Sequence, residues 1–388
     1  MSHRIVLPRL MEVGAGASQQ LARVLKELGC NRPLIVTDRM MVELGYVARI
    51  AGQLEEAGIA SQCFADTLPE PTAASIRAGV EMVRRGDFDS IVALGGGSPI
   101  DSAKAIGILG KFGGEMRDYR FPRDVSEAGL PLIAIPTTAG TGSEATRFTI
   151  ITDETSDEKM LCAGLGFMPI AALIDYELTL SLPPRVTADT GIDALTHAIE
   201  AYVSRKASLY SDAQALQAMR LLAPNLRAAF NEPGNRAARE AMMLGATLAG
   251  IAFSNASVAL VHGMSRPIGA FFHVPHGLSN AMLLPAITAF SIPAAPERYA
   301  DCARAMGVAA QTDSVGVAND KLLAELRAIN QELQVPSPEQ FGIARERFFE
   351  LRETMARQAL ASGSPGNNPR VPTEAEIIDL YETVWNQE

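Results

Sequence analysis

The sequence predicts an α/β N-terminal domain built on a parallel sheet, followed by an all-helical C-terminal domain. Up to about Leu180, short apolar runs alternate with amphipathic stretches, which is typical of parallel strands joined by crossover helices. Beyond that point, long Ala- and Leu-rich stretches replace the short apolar runs. At 388 residues the chain is also longer than a single hydrophobic core usually supports, so two domains are expected.

The elements of the first half follow from this alternation. Apolar runs predict three strands: residues 33–38, 90–96 and 130–137. Amphipathic stretches predict two helices: residues 39–57, ending at Gly58, and residues 72–86.

The second half begins at a double proline, Pro183 and Pro184, which cannot lie inside a helix. This places the domain boundary there and gives domains of residues 1–180 and 181–388. Long helices are expected over the Ala- and Leu-rich stretches: residues 186–203, 208–230 and 235–252. The segment SGSPGNNPR (362–370) is expected to be a surface loop, with a position near a substrate as the alternative.

Composition narrows the classes of function. Hydrophobic residues make up 47% of the chain and charged residues 20%, the profile of a globular protein. The net charge of −10, with scattered basic residues, argues against nucleic-acid and membrane partners and favours small molecules. The N-terminal segment has no apolar signal region, so a cytoplasmic location is expected. Four dispersed cysteines form no CxxC pair, so reduced thiols are expected: Cys30, Cys63, Cys162 and Cys302.

A glycine triplet marks a candidate phosphate site. Gly95, Gly96, Gly97 and Ser98 stand where the second predicted strand turns into a helix. Glycine permits close backbone approach, and the free N–H groups of a helix start favour an anion. A simple tight turn is the alternative. The next strand ends in three hydroxyl donors at the same edge of the sheet, where open α/β sheets bind ligands: Thr137, Thr138 and Thr141. Together these loops indicate a Rossmann-like dinucleotide-binding domain.

Asp38 ends the first predicted strand and directly precedes a helix. A carboxylate at this position can accept both hydroxyl groups of an adenosine ribose and repels the 2′-phosphate of NADP, which favours NAD. The alternative is an N-cap, for which aspartate is a preferred residue.

A second candidate site lies in the predicted helical domain. Asp193 and His197 are four residues apart in a helical pattern, so their side chains share one face. Residues 260–285 contain three of the five histidines of the chain. Nitrogen and oxygen ligands without thiolates suit a catalytic site for Fe(II), zinc or another first-row divalent ion.

Four motifs together resemble the iron-containing (group III) alcohol dehydrogenase family over essentially the whole chain: GGGSPID, PTTAGTGSE, GIDALTHAIEAY and HGMSRPIGAFFHVPHG. The resemblance implies a nucleotide domain and an all-α metal-binding domain, with the active site in the cleft between them, and a homodimer. It implies four ligands for one divalent metal: Asp193, His197, His262 and His276. It implies NAD contacts at Asp38, Gly95, Gly96, Gly97, Ser98, Asp101, Thr137, Thr138, Thr141, Thr146, Lys159 and Leu178.

Three positions depart from the commonest form of the family. Arg266 stands where many members have a histidine, and His273 stands where many have asparagine or another residue, three before the last ligand. The proton path is therefore assigned to His273, with His262 and Arg266 as further catalytic candidates. A structural role at the helix rim is the alternative for His273. Glu70 stands where an asparagine commonly approaches the cofactor.

The implied reaction is hydride transfer between NAD and an alcohol, aldehyde or ketone whose oxygen is polarised by the metal. Arg147 and Arg266 raise the possibility of a carboxylate-bearing substrate. This would be a hydroxy acid or semialdehyde of the 4-hydroxybutyrate type, or a maleylacetate reductase-like reaction; pairing of these arginines with acidic side chains is the alternative. A lyase of the dehydroquinate synthase type and a catalytically silent assembly protein are the other hypotheses.

Overall fold

The structure, a computed structural model, describes residues 2–386. The chain divides into two compact units. The first unit is Val6–Ser181; the second begins at Leu182 and also includes the start of the chain up to Ile5.

A six-stranded parallel sheet organises the first unit, with strand order β1-β8-β5-β4-β2-β3. A separate antiparallel hairpin pairs β6 with β7. The strands are β1 Leu10–Val13, β2 Pro33–Val36, β3 Gln62–Phe64, β4 Ser90–Gly95, β5 Leu132–Pro136, β6 Phe148–Asp153, β7 Glu158–Ala163 and β8 Ala171–Ile174.

Successive residues of the central strands point to opposite faces of the sheet, and both faces are buried. Ile91 and Ala93 of β4 belong to one hydrophobic cluster, whereas Val92 and Leu94 belong to the other. The helices that cover these faces are α1 Leu21–Glu27, α2 Arg39–Glu43, α3 Tyr46–Glu56, α4 Arg77–Arg85 and α5 Gly97–Phe112. The predicted α/β fold with a parallel sheet is thereby confirmed.

Two predicted helices of this unit have different bounds in the structure. The stretch 39–57 is two helices, because Gly45 has a φ of +76° and breaks the hydrogen-bonded run between α2 and α3. The stretch predicted from residue 72 becomes helical only at Arg77.

The regular elements in the described part of the second unit are all helices. Its helices are α6 Pro184–Val203, α7 Leu209–Asn231, α8 Arg236–Ala256, α9 Leu260–Phe272, α10 His276–Ser291, α11 Pro296–Ala305, α12 Val315–Glu332, α13 Arg345–Ala361 and α14 Glu374–Trp385. Pro184 is the first residue of α6, where its missing N–H costs no hydrogen bond. The predicted all-helical second half is confirmed.

One helical segment of this unit, His276–Ala294, is long and apolar enough to cross a bilayer by length and composition. However, 67% of that window is buried inside the protein, and a buried core helix passes the same test.

The SGSPGNNPR segment is predicted to be a surface loop, and this prediction is only partly correct: Gly363, Gly366 and Arg370 are exposed, but the polar residues between them are not. Ser364, Asn367 and Asn368 are buried. The Asn367 amide donates to Ser257 Oγ and to the Val258 carbonyl, both at 3.0 Å. Asn367 therefore holds the segment against the chain directly before α9. Asn368 donates to Ser291 Oγ and to the Arg370 carbonyl, so both buried amides have hydrogen-bond partners.

Lys104, on α5, is a buried lysine with no counterpart in the sequence-based predictions. Its ammonium donates to Ser143 Oγ at 2.8 Å, to the Phe148 carbonyl at 2.6 Å and to both oxygens of Thr146. Burial lowers the pKa of Lys104 from 10.5 to about 8, although the charges of nearby Asp101 and Glu144 act in the opposite direction. Lys104 therefore ties α5 to the segment that leads into β6.

We predict that Lys104→Met lowers the free energy of unfolding by about 2–4 kcal/mol at pH 7, because buried oxygen acceptors lose their donor. The unfolded chain holds the lysine proton up to a pH of about 10.5, whereas the folded wild type releases it near 8. Between these values the unfolded wild type binds more protons, so rising pH stabilises its folded state.

The stability gap between wild type and Lys104→Met should therefore widen by about 2 kcal/mol from pH 7 to 9.5, as measured by urea unfolding. Lys111→Met removes an exposed lysine of the same helix and is the control for the loss of a lysine side chain. A gap that stays constant for Lys104→Met would contradict the assigned burial of this charge.

Candidate metal centre and nucleotide loop

Four side chains of the second unit form a compact cluster of metal-binding groups: Asp193, His197, His262 and His276. Their ligand atoms all lie within 4.8 Å of one another. Asp193, His197 and His262 are buried, whereas the side chain of His276 is 35% exposed. The cluster is therefore closed on most sides and accessible at His276, as expected for a site that admits a further ligand.

Three helices position the cluster. Asp193 and His197 lie one turn apart in the middle of α6. His262 is in the first turn of α9, and His276 is the first residue of α10. The ring of Phe253, from α8, stacks on His197 at a centroid distance of 4.2 Å and holds that imidazole in place. The sequence predicted these four residues, and the fold brings all of them together.

The spacing of the donor atoms fits a single ion. Asp193 Oδ1 lies 3.4 Å from His262 Nε2 and 3.8 Å from His276 Nε2. In a tetrahedral site with bonds of about 2.1 Å, ligand atoms are roughly 3.4 Å apart. The amide nitrogen of Asn280 lies 2.6 Å from Asp193 Oδ1, 3.1 Å from His262 Nε2 and 3.3 Å from His276 Nε2. Three of the four ligand atoms thus lie within hydrogen-bonding distance of one amide nitrogen.

The electrostatics of the cluster favour a cation. Burial would raise the pKa of Asp193, but the surrounding imidazoles of His197, His276 and His262 hold it well below its usual range. Burial would lower the pKa of His262, but Glu200 and Asp193 raise it to about 9. The pocket is thus arranged to hold positive charge next to buried carboxylates.

Glu200 and Asn280 contact the cluster, and the sequence-based predictions missed both. Glu200 accepts a hydrogen bond from His262 Nδ1 at 2.6 Å, and its side chain is buried. A periodicity signal was present for Glu200, because it follows Asp193 by seven residues and His197 by three, which places it on the same helix face. Asn280 follows His276 by four residues, which is one helical turn, but no helix was predicted for this segment.

Close packing of α10 on α6 depends on Gly277. A Cβ atom at this position would overlap the carbonyl oxygen of Asp189 and lie 3.3 Å from the Cβ of Asp193. Glycine therefore allows the start of α10, with His276, to reach the ligands on α6.

The glycine loop of the first unit has the geometry of a phosphate cradle. Gly96 is the N-cap of α5, and no side chain caps this helix. A Cβ at Gly96 would lie 3.2 Å from Thr138 Cγ2, and one at Gly97 would lie 2.7 Å from Thr141 Cγ2. Thr137 N donates to the Gly95 carbonyl at 3.0 Å. The predicted glycine and threonine loops are adjacent, and the helix start between them offers unpaired backbone N–H groups.

Several predicted cofactor residues have structural partners of their own. The Asp101 carboxylate accepts from Ser143 Oγ at 2.6 Å and from Ile150 N at 2.8 Å. Thr146 is buried against Lys104. Leu178 is buried in the core cluster of the sheet. Asp38 accepts from Met41 N at 3.0 Å and is the N-cap of α2, the alternative considered for it.

Lys159 forms a salt bridge with Glu70. The backbone N–H of Glu70 also donates to Ser98 Oγ at 3.2 Å. Glu70, which departs from the family pattern, thus contacts Ser98 of the glycine loop through its backbone and the predicted cofactor residue Lys159 through its side chain.

The two candidate catalytic residues near the cluster differ in burial. His273 is exposed and ends α9 in a left-handed conformation, with its backbone N–H bonded to the Gly269 carbonyl. Arg266 is only 9% exposed and donates to Ser364 Oγ at 2.9 Å. Burial lowers the pKa of Arg266 to about 10, although the charge of Glu200 acts in the opposite direction.

Comparisons with known proteins cover both units. Models of "Iron-containing alcohol dehydrogenase" and "Fe-containing alcohol dehydrogenase family, C-terminal" match residues 8–176 and 187–385. The lactaldehyde reductase of Escherichia coli (strain K12) is 36% identical over 389 residues, covering 99% of this chain and 100% of the relative.

Solved structures are similar over the same length. A 1,3-propanediol oxidoreductase has a TM-score of 0.94 and 34% identity, covering 99% of this chain and 100% of that chain. The sulfoacetaldehyde reductase of Bifidobacterium kashiwanohense, in complex with NAD+, has a TM-score of 0.89 and 27% identity, covering 100% of both chains.

We predict that Gly277→Ala weakens the affinity for a divalent ion roughly 10- to 100-fold, because the added methyl group displaces the start of α10 from α6. The dissociation constant is measured by competition with a coloured chelator. Gly316→Ala is the matched control: Gly316 is also the second residue of a helix, and an added Cβ there meets no atom within 4 Å. Unchanged affinity in Gly277→Ala would show that this close approach does not set the geometry of the cluster.

Proposed function

The chain belongs to the iron-containing alcohol dehydrogenase family, and we propose that it interconverts an alcohol and an aldehyde or ketone with NAD and one divalent ion. The observation that carries this proposal is the cluster of one carboxylate and three imidazoles, with ligand atoms within 4.8 Å of one another. We assign the ion to Asp193, His197, His262 and His276. Fe(II) is the proposed ion and zinc the alternative, since both suit nitrogen and oxygen ligands.

A divalent ion held by Asp193, His197, His262 and His276 would polarise the carbonyl oxygen of an aldehyde and would lower the pKa of an alcohol. The burial of the proposed ligands leaves one side of the site open for such an oxygen. Three of the proposed ligands are buried and exclude water, whereas His276 leaves an approach open. His262 has one ring nitrogen facing the cluster and the other on Glu200, so we assign it to metal binding and not to proton transfer.

NAD held at the glycine loop would accept or supply the hydride through its nicotinamide. In this chain the pyrophosphate is assigned to the start of α5, where Gly96 and Gly97 keep the backbone accessible. Asp38 is assigned to the adenosine ribose: one carboxylate oxygen caps α2, and the second can accept a ribose hydroxyl. The roles of Lys159 and Leu178 follow from the resemblance alone.

For proton transfer we propose His273, whose exposed imidazole lies three residues before the ligand His276.

We also propose that the enzyme works in the cytoplasm as a homodimer. The acidic composition supports the location. The edge strand β1, with exposed Met11 and Val13, supports association with a second copy.

The activity is tested by NADH oxidation with a panel of aldehydes and ketones. We expect chelator-treated protein to lose activity and to regain it with Fe(II) or zinc. His262→Ala should lose at least about 100-fold in kcat/KM, whereas His3→Ala, which removes an exposed histidine outside the cluster, should match wild type. NADPH should be the poorer cofactor. Protein that turns over a substrate with no net change in NADH would instead support a lyase.

A second, narrower candidate is a dehydrogenase for substrates that carry an anionic group. Arg266 supports it: the guanidinium is buried one turn after His262, and the described part of the chain offers it Ser364 but no carboxylate within ion-pair distance. A guanidinium with free donors binds carboxylates and sulfonates well. The similarity to a sulfoacetaldehyde reductase points to the same substrate class.

Arg266→Met separates these substrate classes. We expect kcat/KM for a carboxylate- or sulfonate-bearing aldehyde to fall about 10- to 100-fold, with little change for a neutral aldehyde of similar length. Ser364→Ala keeps the guanidinium and should show a smaller loss with the same selectivity. Equal losses for charged and neutral aldehydes in Arg266→Met would rule out recognition of an anionic group.

A further inference from the structure

We propose that Glu200 is a positioning residue. Its carboxylate fixes the tautomer of His262 and also binds the backbone at the start of α9, so that His262 presents an unprotonated Nε2 to the ion. This inference rests on the proposed function, since it takes Asp193, His197, His262 and His276 as metal ligands.

Glu200 forms a hydrogen bond with the imidazole ring of His262. Glu200 Oε2 lies 2.6 Å from His262 Nδ1, and both side chains are buried. A carboxylate only accepts hydrogen bonds, so the proton of the neutral imidazole is held on Nδ1. Nε2 then keeps its lone pair, and this is the nitrogen that lies 3.4 Å from Asp193 Oδ1. Metal-binding histidines commonly depend on such an outer hydrogen bond.

Glu200 also caps the N-terminus of α9. α9 has no side-chain cap of its own, because its N-cap residue is Ala259. Glu200 supplies the acceptors from α6: Oε2 accepts from Ala259 N at 3.0 Å, and Oε1 accepts from Val261 N at 2.6 Å. A negative charge at this end of a helix is also favourable to its dipole.

These two roles act on the same ligand. Val261 directly precedes His262, so the carboxylate fixes both the backbone from which the ring extends and the orientation of the ring. Glu200 also lies on the face of α6 that carries Asp193 and His197. Ligands from two helices are thereby held in register by one side chain.

The test compares the metal affinity of Glu200→Gln and Glu200→Ala with that of wild type, using Zn²⁺ and chelator competition. We expect the dissociation constant to rise about 10- to 100-fold in Glu200→Ala and less in Glu200→Gln, whose amide oxygen can still accept from His262. The visible absorption spectrum of the Co²⁺-loaded protein should change strongly in Glu200→Ala, in which the His262 ring loses its acceptor, and less in Glu200→Gln.

Asp175→Asn is the matched control. Asp175 is a buried carboxylate of the other unit that also accepts from backbone amides, at Gly16 N and Ser18 N. We expect it to lower thermal stability without changing metal affinity or the Co²⁺ spectrum. Unchanged affinity and spectrum in the Glu200 variants, with wild type binding the ion, would overturn the inference. A wild type that binds no ion would overturn the proposed metal site itself.

A direct measurement needs no variant. In Zn²⁺-loaded wild type, ¹⁵N spectra of the histidine rings should show the proton of His262 on Nδ1, with the downfield shift of a hydrogen bond to a carboxylate. A proton on Nε2 would overturn the inference even if neither Glu200 variant folds.

Discussion

The buried carboxylate of Asp193 is the interaction on which the arrangement of the helical unit depends. A carboxylate in an apolar interior is costly unless charged or hydrogen-bonding partners surround it. α6 supplies only one imidazole, His197, so the other two come from the starts of α9 and α10. The starts of α9 and α10 thus lie against α6, where Gly277 permits the close approach of α10 and Glu200 binds the start of α9.

The first unit depends on a different constraint, the freedom of the backbone at the start of α5. No side chain caps this helix, and the glycines before and within its first turn pack against Thr138 and Thr141. Asp101 and Lys104, on the buried side of the same helix, hold the segment from Ser143 to Ile150 through hydrogen bonds. One side of α5 is thus fixed by polar contacts, while its N-terminus stays available to an anion.

The local sequence pattern was sufficient to predict a residue's position wherever that position depends only on the strand or helix to which the residue belongs. The apolar runs of β2, β4 and β5 predicted buried parallel strands, and the i,i+4 spacing of Asp193 and His197 predicted a shared face. The sequence pattern gave wrong predictions where a residue's burial depends on a partner that is distant in the sequence. The segment 362–370 is rich in glycine, proline and asparagine, as surface loops are, yet Asn367 is buried because it binds backbone groups before α9. The break at Gly45 was missed because an isolated glycine is also compatible with a continuous helix.

Residue properties alone predict the two-part α/β and helical organisation, the glycine loop and the shared helix face of Asp193 and His197, because hydrophobic periodicity, backbone freedom and helical spacing can be read from the chain. The choice of His262 and His276 as further ligands came from the family resemblance. The packing of the folded chain was needed to show that Glu200 orients His262, that Asn280 faces three ligand atoms, and that Glu70 pairs with Lys159. These contacts join residues on different elements, and side-chain hydrogen bonds act only over about 3 Å. Their existence therefore depends on how the helices and strands pack.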